Sequence, residues 1–314
     1  MRLTRRIAVA SLLAAALSAP AFAADKPTIL ASVPGMTFPF FVHMMDAFKA
    51  EGAKLGVNVI ESDGQVSSPK QTADIEAALT KGVQGIVLSP NEVDAMAPAL
   101  QEAIDAKVPV VTIDRRVPSV KGILAHIGAD NVKGGEAQGE LIVKLFPDGA
   151  TIVNLQGQSG ASPAIDRNKG LHNVLDKAGA KYKVVFEQTA GFDRARGLSV
   201  TEAALAGLAE PPKVIVAGND DMALGAMEAV KARNLKGIVI IGFDALPEAL
   251  AQIRDGGLTA TVEQFPAKQC SLGVQTLVDF IKNGKKPDQQ ITLLTPVAIT
   301  KANLSEAERL NEVK

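Results

Sequence analysis

The chain has 314 residues, about twice what one compact domain needs, so two lobes are expected. Hydrophobic residues make up 47% and charged residues 21%, an ordinary balance for a protein that buries full cores. A formal net charge of -1, with no basic cluster in the mature chain, argues against nucleic acid or an anionic membrane as the main partner. With no Trp and one Tyr, any aromatic platform must be built from Phe. The first 24 residues follow a separate logic. Arg2, Arg5 and Arg6 precede an apolar run from Ile7 to Ala19, and Ala21-Phe22-Ala23 forms a small-x-small site. This pattern predicts a signal peptide over 1–24, cleaved after Ala23 or Ala24, and a mature protein released into the periplasm. The apolar run is short for a bilayer span, and no later segment reaches about 18 consecutive apolar residues.

From residue 27 short β-rich runs alternate with helical patterns. Strands are expected at 27–33, 57–62, 85–90, 108–114 and 123–129, then at 151–156, 183–189, 213–219, 238–244 and 259–265. Ser68-Pro69-Lys70-Gln71 reads as a helix start, with Ser68 as cap and Ile75 and Leu79 on one face. Val/Ile-rich strands separated by helices predict parallel sheets covered on both faces. Two such sets make the fold class α/β, with two doubly wound parallel-sheet lobes. The halves also echo each other: GIVLSPN (85–91) parallels VIVAGND (214–220). Cys270, the single cysteine, has no partner for an intramolecular disulfide and sits in a helical pattern as a small core residue.

In open parallel sheets ligands bind beyond the carboxyl ends of the strands. Residues just after the apolar runs are therefore the informative ones. They include Phe38, Phe40 and Phe41; Asp114 and Arg115; Asn131; Arg167; Phe192; Asn219; Asp244; and Gln264. A sugar hydroxyl both donates and accepts. Asp accepts from it, Arg donates through a planar fork, Asn and Gln do both, and a Phe ring covers the C–H face. This set suits a small polyhydroxylated molecule. It suits phosphate less, since there is no Gly-rich P-loop and carboxylates are numerous. The helix after Asn219-Asp220-Asp221 is expected to be capped by Asp221. An enzymatic reading would pair Asp114 with Asp244 as acid and base, but Asp114 beside Arg115 is expected to have a lowered pKa, unsuited to a general acid. His43, His126 and His172 show no metal-ligand spacing, and no Gly-x-Ser-x-Gly motif occurs.

The segments FPFF (38–41), TIDR (112–115), GADN (128–131), DRNKG (166–170), GFDRARGL (191–198), GNDDMALGA (218–226), GFDALPE (242–248) and EQFP (263–266) resemble, in order, the type I periplasmic sugar-binding proteins, in particular the ribose-binding-protein-like cluster. The resemblance covers essentially the whole mature chain. It implies two lobes joined by three crossovers, near 128–131, 262–265 and 290–295. The N-terminal lobe would hold 25–129 plus 265–293, and the C-terminal lobe 130–264 plus 294–314. It further implies that Phe40, Phe41 and Phe192 sandwich a sugar while Asp114, Arg115, Arg167, Asn219, Asp244 and Gln264 bind its hydroxyls, with Asn131 a hinge-side polar residue near the ligand. The implied function is capture of a monosaccharide or polyol by lobe closure and delivery to an ABC permease in the inner membrane. The implied form is a monomer that needs no cofactor and does no catalysis. A chemoreceptor or sensor kinase is the alternative partner. One residue departs from the pattern: ribose binders have Asn where this chain has Phe38. That leaves ribose, another pentose, a hexose or inositol as ligands.

Overall fold

A computed structural model describes residues 26–314, so the expected signal peptide lies outside the described residues. Two six-stranded sheets organise the chain. The first contains β1 (Thr28–Val33), β2 (Asn58–Asp63), β3 (Gly85–Leu88), β4 (Val110–Ile113), β5 (Ala125–Ala129) and β11 (Ile291–Leu294), in the order β11-β5-β4-β3-β1-β2. The second contains β6 (Ala150–Gln156), β7 (Tyr182–Thr189), β8 (Val214–Ala217), β9 (Val239–Ile241), β10 (Ala260–Glu263) and β12 (Val297–Thr300), in the order β12-β10-β9-β8-β6-β7. Both sheets share the doubly wound order 2-1-3-4-5 and add one late strand at the edge. Every expected strand is present. The late strands β11 and β12 were not foreseen, and β12 runs antiparallel to β10 where a wholly parallel sheet was expected.

Nine helices cover the sheets among the described residues: α1 (Pro39–Lys54), α2 (Ser68–Thr80), α3 (Ala97–Asp105), α4 (Asn131–Leu145), α5 (Ser162–Ala178), α6 (Arg194–Gly207), α7 (Asp220–Ala232), α8 (Pro247–Asp255) and α9 (Pro266–Asn283). The central strands β3, β4 and β8 are buried at every position, as strands covered on both faces must be. The chain changes lobe three times. After β5 it enters α4, which packs on α5; after β10 it enters α9, which packs on α1 and β3–β5; and Thr295-Pro296 joins β11 to β12. Leu294, expected on the second lobe's side, pairs with Ala129 in the first sheet.

Two local expectations are corrected. The α2 cap is Ser67, whose hydroxyl accepts from the Lys70 N–H at 3.3 Å, so Ser68 is the first helical residue. Gln71 is thereby freed from the helix end. It is fully buried, donates to Ser32 Oγ and the Ser89 carbonyl, and accepts from the Asn91 N–H, tying together the carboxyl ends of β1 and β3. In α7 the cap is Asn219, not Asp221, and Asp221 instead lies 3.6 Å from Arg194.

The α4–α5 pair crosses at bare backbone. A Cβ on Gly135 would stand 2.0 Å from the Arg167 carbonyl oxygen, and one on Gly170 would stand 2.0 Å from that of Val132. Only glycine permits this approach, and it sets α5, with Arg167, against the start of α4.

Candidate functional site

Beyond the carboxyl edges of the two sheets lies a cavity lined by Phe38, Phe40, Phe41, Asp114, Arg115, Pro163, Arg167, Phe192, Asn219, Asp244 and Gln264. All eleven are buried. The first lobe supplies the three rings at the start of α1 and the Asp114-Arg115 pair after β4. The second supplies Pro163 and Arg167 from α5, Phe192 before α6, Asn219 at the start of α7 and Asp244 after β9. Gln264 comes from the crossing after β10. Ten of the eleven expected residues thus meet around one space. Asn131 does not line it: its Oδ1 accepts from Arg167 Nε at 2.8 Å, so it stands behind the guanidinium and orients it. Pro163 was not foreseen, because the residues sought at strand ends were polar or aromatic.

Three lining residues hold left-handed backbone that non-glycine residues rarely adopt: Asp114 (φ 59), Phe192 (φ 64) and Asp244 (φ 109). Such strain persists only where surrounding contacts over-determine it, and it clusters at functional sites. Phe192 shows how. Its ring lies where a Cβ on Gly157 would come within 2.1 Å, and its carbonyl accepts from Asn219 Nδ2 at 3.2 Å.

The two guanidiniums are held from behind. Arg115 Nη1 donates to the Asn91 carbonyl at 2.7 Å and to Gln158 Oε1 at 3.1 Å, while its Cζ lies 5.2 Å from the Phe41 ring centre. Arg167 Nη1 donates to the Gly218 carbonyl at 2.6 Å, and its Cζ lies 3.5 Å from the Phe243 ring centre. Each faces a carboxylate: Asp114 Oδ2 is 3.9 Å from Arg115 Nε, and Asp244 Oδ1 is 3.5 Å from Arg167 Nη1. Asp114 also accepts from Ser89 Oγ at 3.1 Å, and Asp244 from Gln264 Nε2 at 2.6 Å. Arg115 Nε and Gln264 Oε1 are buried with no hydrogen-bond partner, unusual in an interior where nearly all polar atoms are paired.

Burial dominates the titration of the site. It raises the Asp114 carboxyl above the usual range, and Arg115 and Arg167 only partly oppose it. The expected lowering by Arg115 is therefore overturned: desolvation outweighs the pairing. Asp244 is pushed up to about 8 for the same first reason, and Arg115 down to about 10. His126 is likewise pushed down to about 4 by burial, with Nδ1 3.0 Å from Thr112 Oγ1. No cluster of metal-ligating side chains occurs among the described residues.

The family model for the periplasmic binding protein domain matches residues 29–286. The chain belongs to the periplasmic binding protein family. Its two crossing-linked α/β lobes and the cleft between them are the type I form of that family, as the residues implied. A ribose import binding protein of Bacillus subtilis is 39% identical over 265 residues, covering 84% of this chain and 85% of its own length. A solved myo-inositol binding protein of Caulobacter, bound to myo-inositol, is 40% identical with a TM-score of 0.88, covering 91% of this chain and 97% of its own. A solved galactofuranose binding protein is 28% identical with a TM-score of 0.86, covering 91% and 99%. As a periplasmic binding protein the chain works outside the cytoplasm, in a family of transport proteins rather than enzymes.

Proposed function

We propose that this periplasmic protein captures a monosaccharide or cyclic polyol between its lobes and delivers it to an ABC permease, with myo-inositol the ligand. The observation that carries the reading is the cavity itself. Two guanidiniums, two carboxyls, an Asn and a Gln converge with Phe rings in a closed space, and Arg115 Nε and Gln264 Oε1 have no protein partner. Hydroxyls that donate and accept at once complete such a set, and ring C–H faces fit the Phe walls. Asp114 and Arg115 lie on one lobe and Arg167 and Asp244 on the other, so a ligand that engages both favours the closed form.

Phe38 supports a ligand other than ribose. It is a buried apolar ring at the cavity wall, 6.0 Å from Phe41, and donates no hydrogen bond there. The 40% identity to a protein solved with myo-inositol supports the cyclitol, as does a second solved protein with bound myo-inositol, from Bacillus halodurans, at 28% identity and a TM-score of 0.84.

Calorimetry of the wild type and Phe38→Asn against myo-inositol, D-ribose, L-arabinose and D-galactose tests this. The expected outcome is micromolar myo-inositol binding, about -8 kcal/mol, with Phe38→Asn shifting preference toward ribose. Preference of the wild type for ribose overturns the cyclitol but keeps the sugar trap. No heat with any of the four overturns both. Bound ligand recovered chemically unchanged after long incubation is the outcome expected of a binding protein that does no catalysis.

A further inference from the structure

The cleft is shut by a second set of groups that line no part of the cavity. Arg116 follows Arg115 in the loop after β4. Its backbone N–H donates to Ser162 Oγ at 3.0 Å, and its guanidinium grips the Asp166 carboxylate with two prongs, Nη2 to Oδ1 at 3.1 Å and Nη1 to Oδ2. Beside it the Val93 N–H donates to the Gly160 carbonyl at 2.9 Å, and Gln158 Nε2 donates to Asn91 Oδ1 at 3.1 Å. In each contact one partner belongs to the first lobe and the other to the second. None lies at a chain crossing, so opening the cleft must part them while each lobe keeps its internal bonds.

We infer that Arg116 and Asp166 form a latch on the rim of the cleft, one that stabilises the closed form whatever the ligand and slows its release. The pair suits this role. The two-pronged geometry is the strongest that Arg and a carboxylate form. The Asp166 side chain is 11% exposed and that of Arg116 38%, so the contact is sheltered on one side and open to ions on the other. Salt therefore weakens closure even around an uncharged ligand. Arg116 is a positioning residue, since it acts on capture through lobe closure without facing the cavity.

The inference rests on the cleft being a polyol trap, and the experiment separates the two. Ligand release is timed by stopped flow for the wild type, Arg116→Gln, and the charge-reversed pair Arg116→Asp with Asp166→Arg, at low and high salt. Interlobe distances are read in parallel from spin labels on exposed positions of both lobes, without ligand. Arg116→Gln should release ligand about 3- to 20-fold faster and lose most of the salt response, and the reversed pair should recover part of the wild-type rate. Equal release rates and salt responses in wild type and Arg116→Gln overturn the latch while leaving the trap intact. If the wild type binds no polyol, the trap falls, and the ligand-free distances decide alone. A closed population at low salt that Arg116→Gln removes supports the latch, and matching distributions overturn it.

Discussion

Burial pushes the Asp244 carboxyl up to about 8, and the Arg167 guanidinium 3.5 Å away offsets only part of that rise. In the unfolded chain the same group titrates near its ordinary value of about 4. Between those values the folded protein holds a proton that the unfolded chain has released, so stability falls as pH rises. The contribution is fully present below about pH 4 and lost as pH passes through about 8. Asp114 and Asp220 are raised in the same direction, and Asp221 to about 6, so the effect is collective. The protein should melt at progressively lower temperature from about pH 5 to about pH 9, and Asp244→Asn should flatten that decline. A wild type that melts at one temperature across this range contradicts the account. At this scale the sequence showed which side chains would gather, because strand ends of a doubly wound sheet share one edge. It did not show how they would titrate. Asp114 beside Arg115 looks paired on paper, and only the depth of the cavity reveals that desolvation wins. Asn131 was legible as a polar residue near the site but not as the prop behind Arg167, since that depends on α4 meeting α5.

That meeting makes a prediction about elements. Gly135 and Gly170 let the backbones of α4 and α5 touch, and a methyl at either position would collide with a carbonyl oxygen rather than a yielding side chain. Gly135→Ala should cost about 1–3 kcal/mol of stability, read from urea unfolding. It should also weaken ligand binding, because Arg167 and Asn131 ride on the two helices being separated. Full affinity in a destabilised Gly135→Ala would show that the crossing supports the fold without setting the site. Ten strands were legible because each carries a short apolar run between helical patterns, dense in the buried strands β3, β4 and β8 and sparser in the edge strands β2 and β7. Strands β11 and β12 were not, for a physical reason. Each is a four-residue strand at a sheet edge, and Ile291 and Leu293 of β11 are exposed, so neither shows the dense burial pattern of a central strand. The α2 cap slipped by one residue because Ser67 and Ser68 are equally good caps in sequence, and only the extended backbone of Ser67 decides between them.

At the scale of the whole molecule, each lobe has its own packed layer. One buried cluster of Ile75, Ile86 and Leu100 belongs to the first lobe, and another of Ile142, Ile152 and Leu175 to the second. A third runs through both and includes Phe40 and Phe41 from one lobe and Phe192 from the other. The walls of the ligand cavity thus belong to the cluster that runs through both lobes. Opening the cleft parts those rings and leaves two lobes tied by three crossings. A ligand that bridges Asp114 and Arg115 to Arg167 and Asp244 should bind the closed form and couple the lobes' unfolding. At 100 times Kd it should add about 2.7 kcal/mol, a rise in melting temperature of roughly 4–5 °C for a chain of this size. Calorimetry should also show a sharper, more nearly single transition as ligand is added. Arg167→Ala should abolish both the shift and the sharpening, since it removes the second lobe's guanidinium from the bridge. A shift and a sharpening that both survive Arg167→Ala would show that closure does not depend on the second lobe's guanidinium.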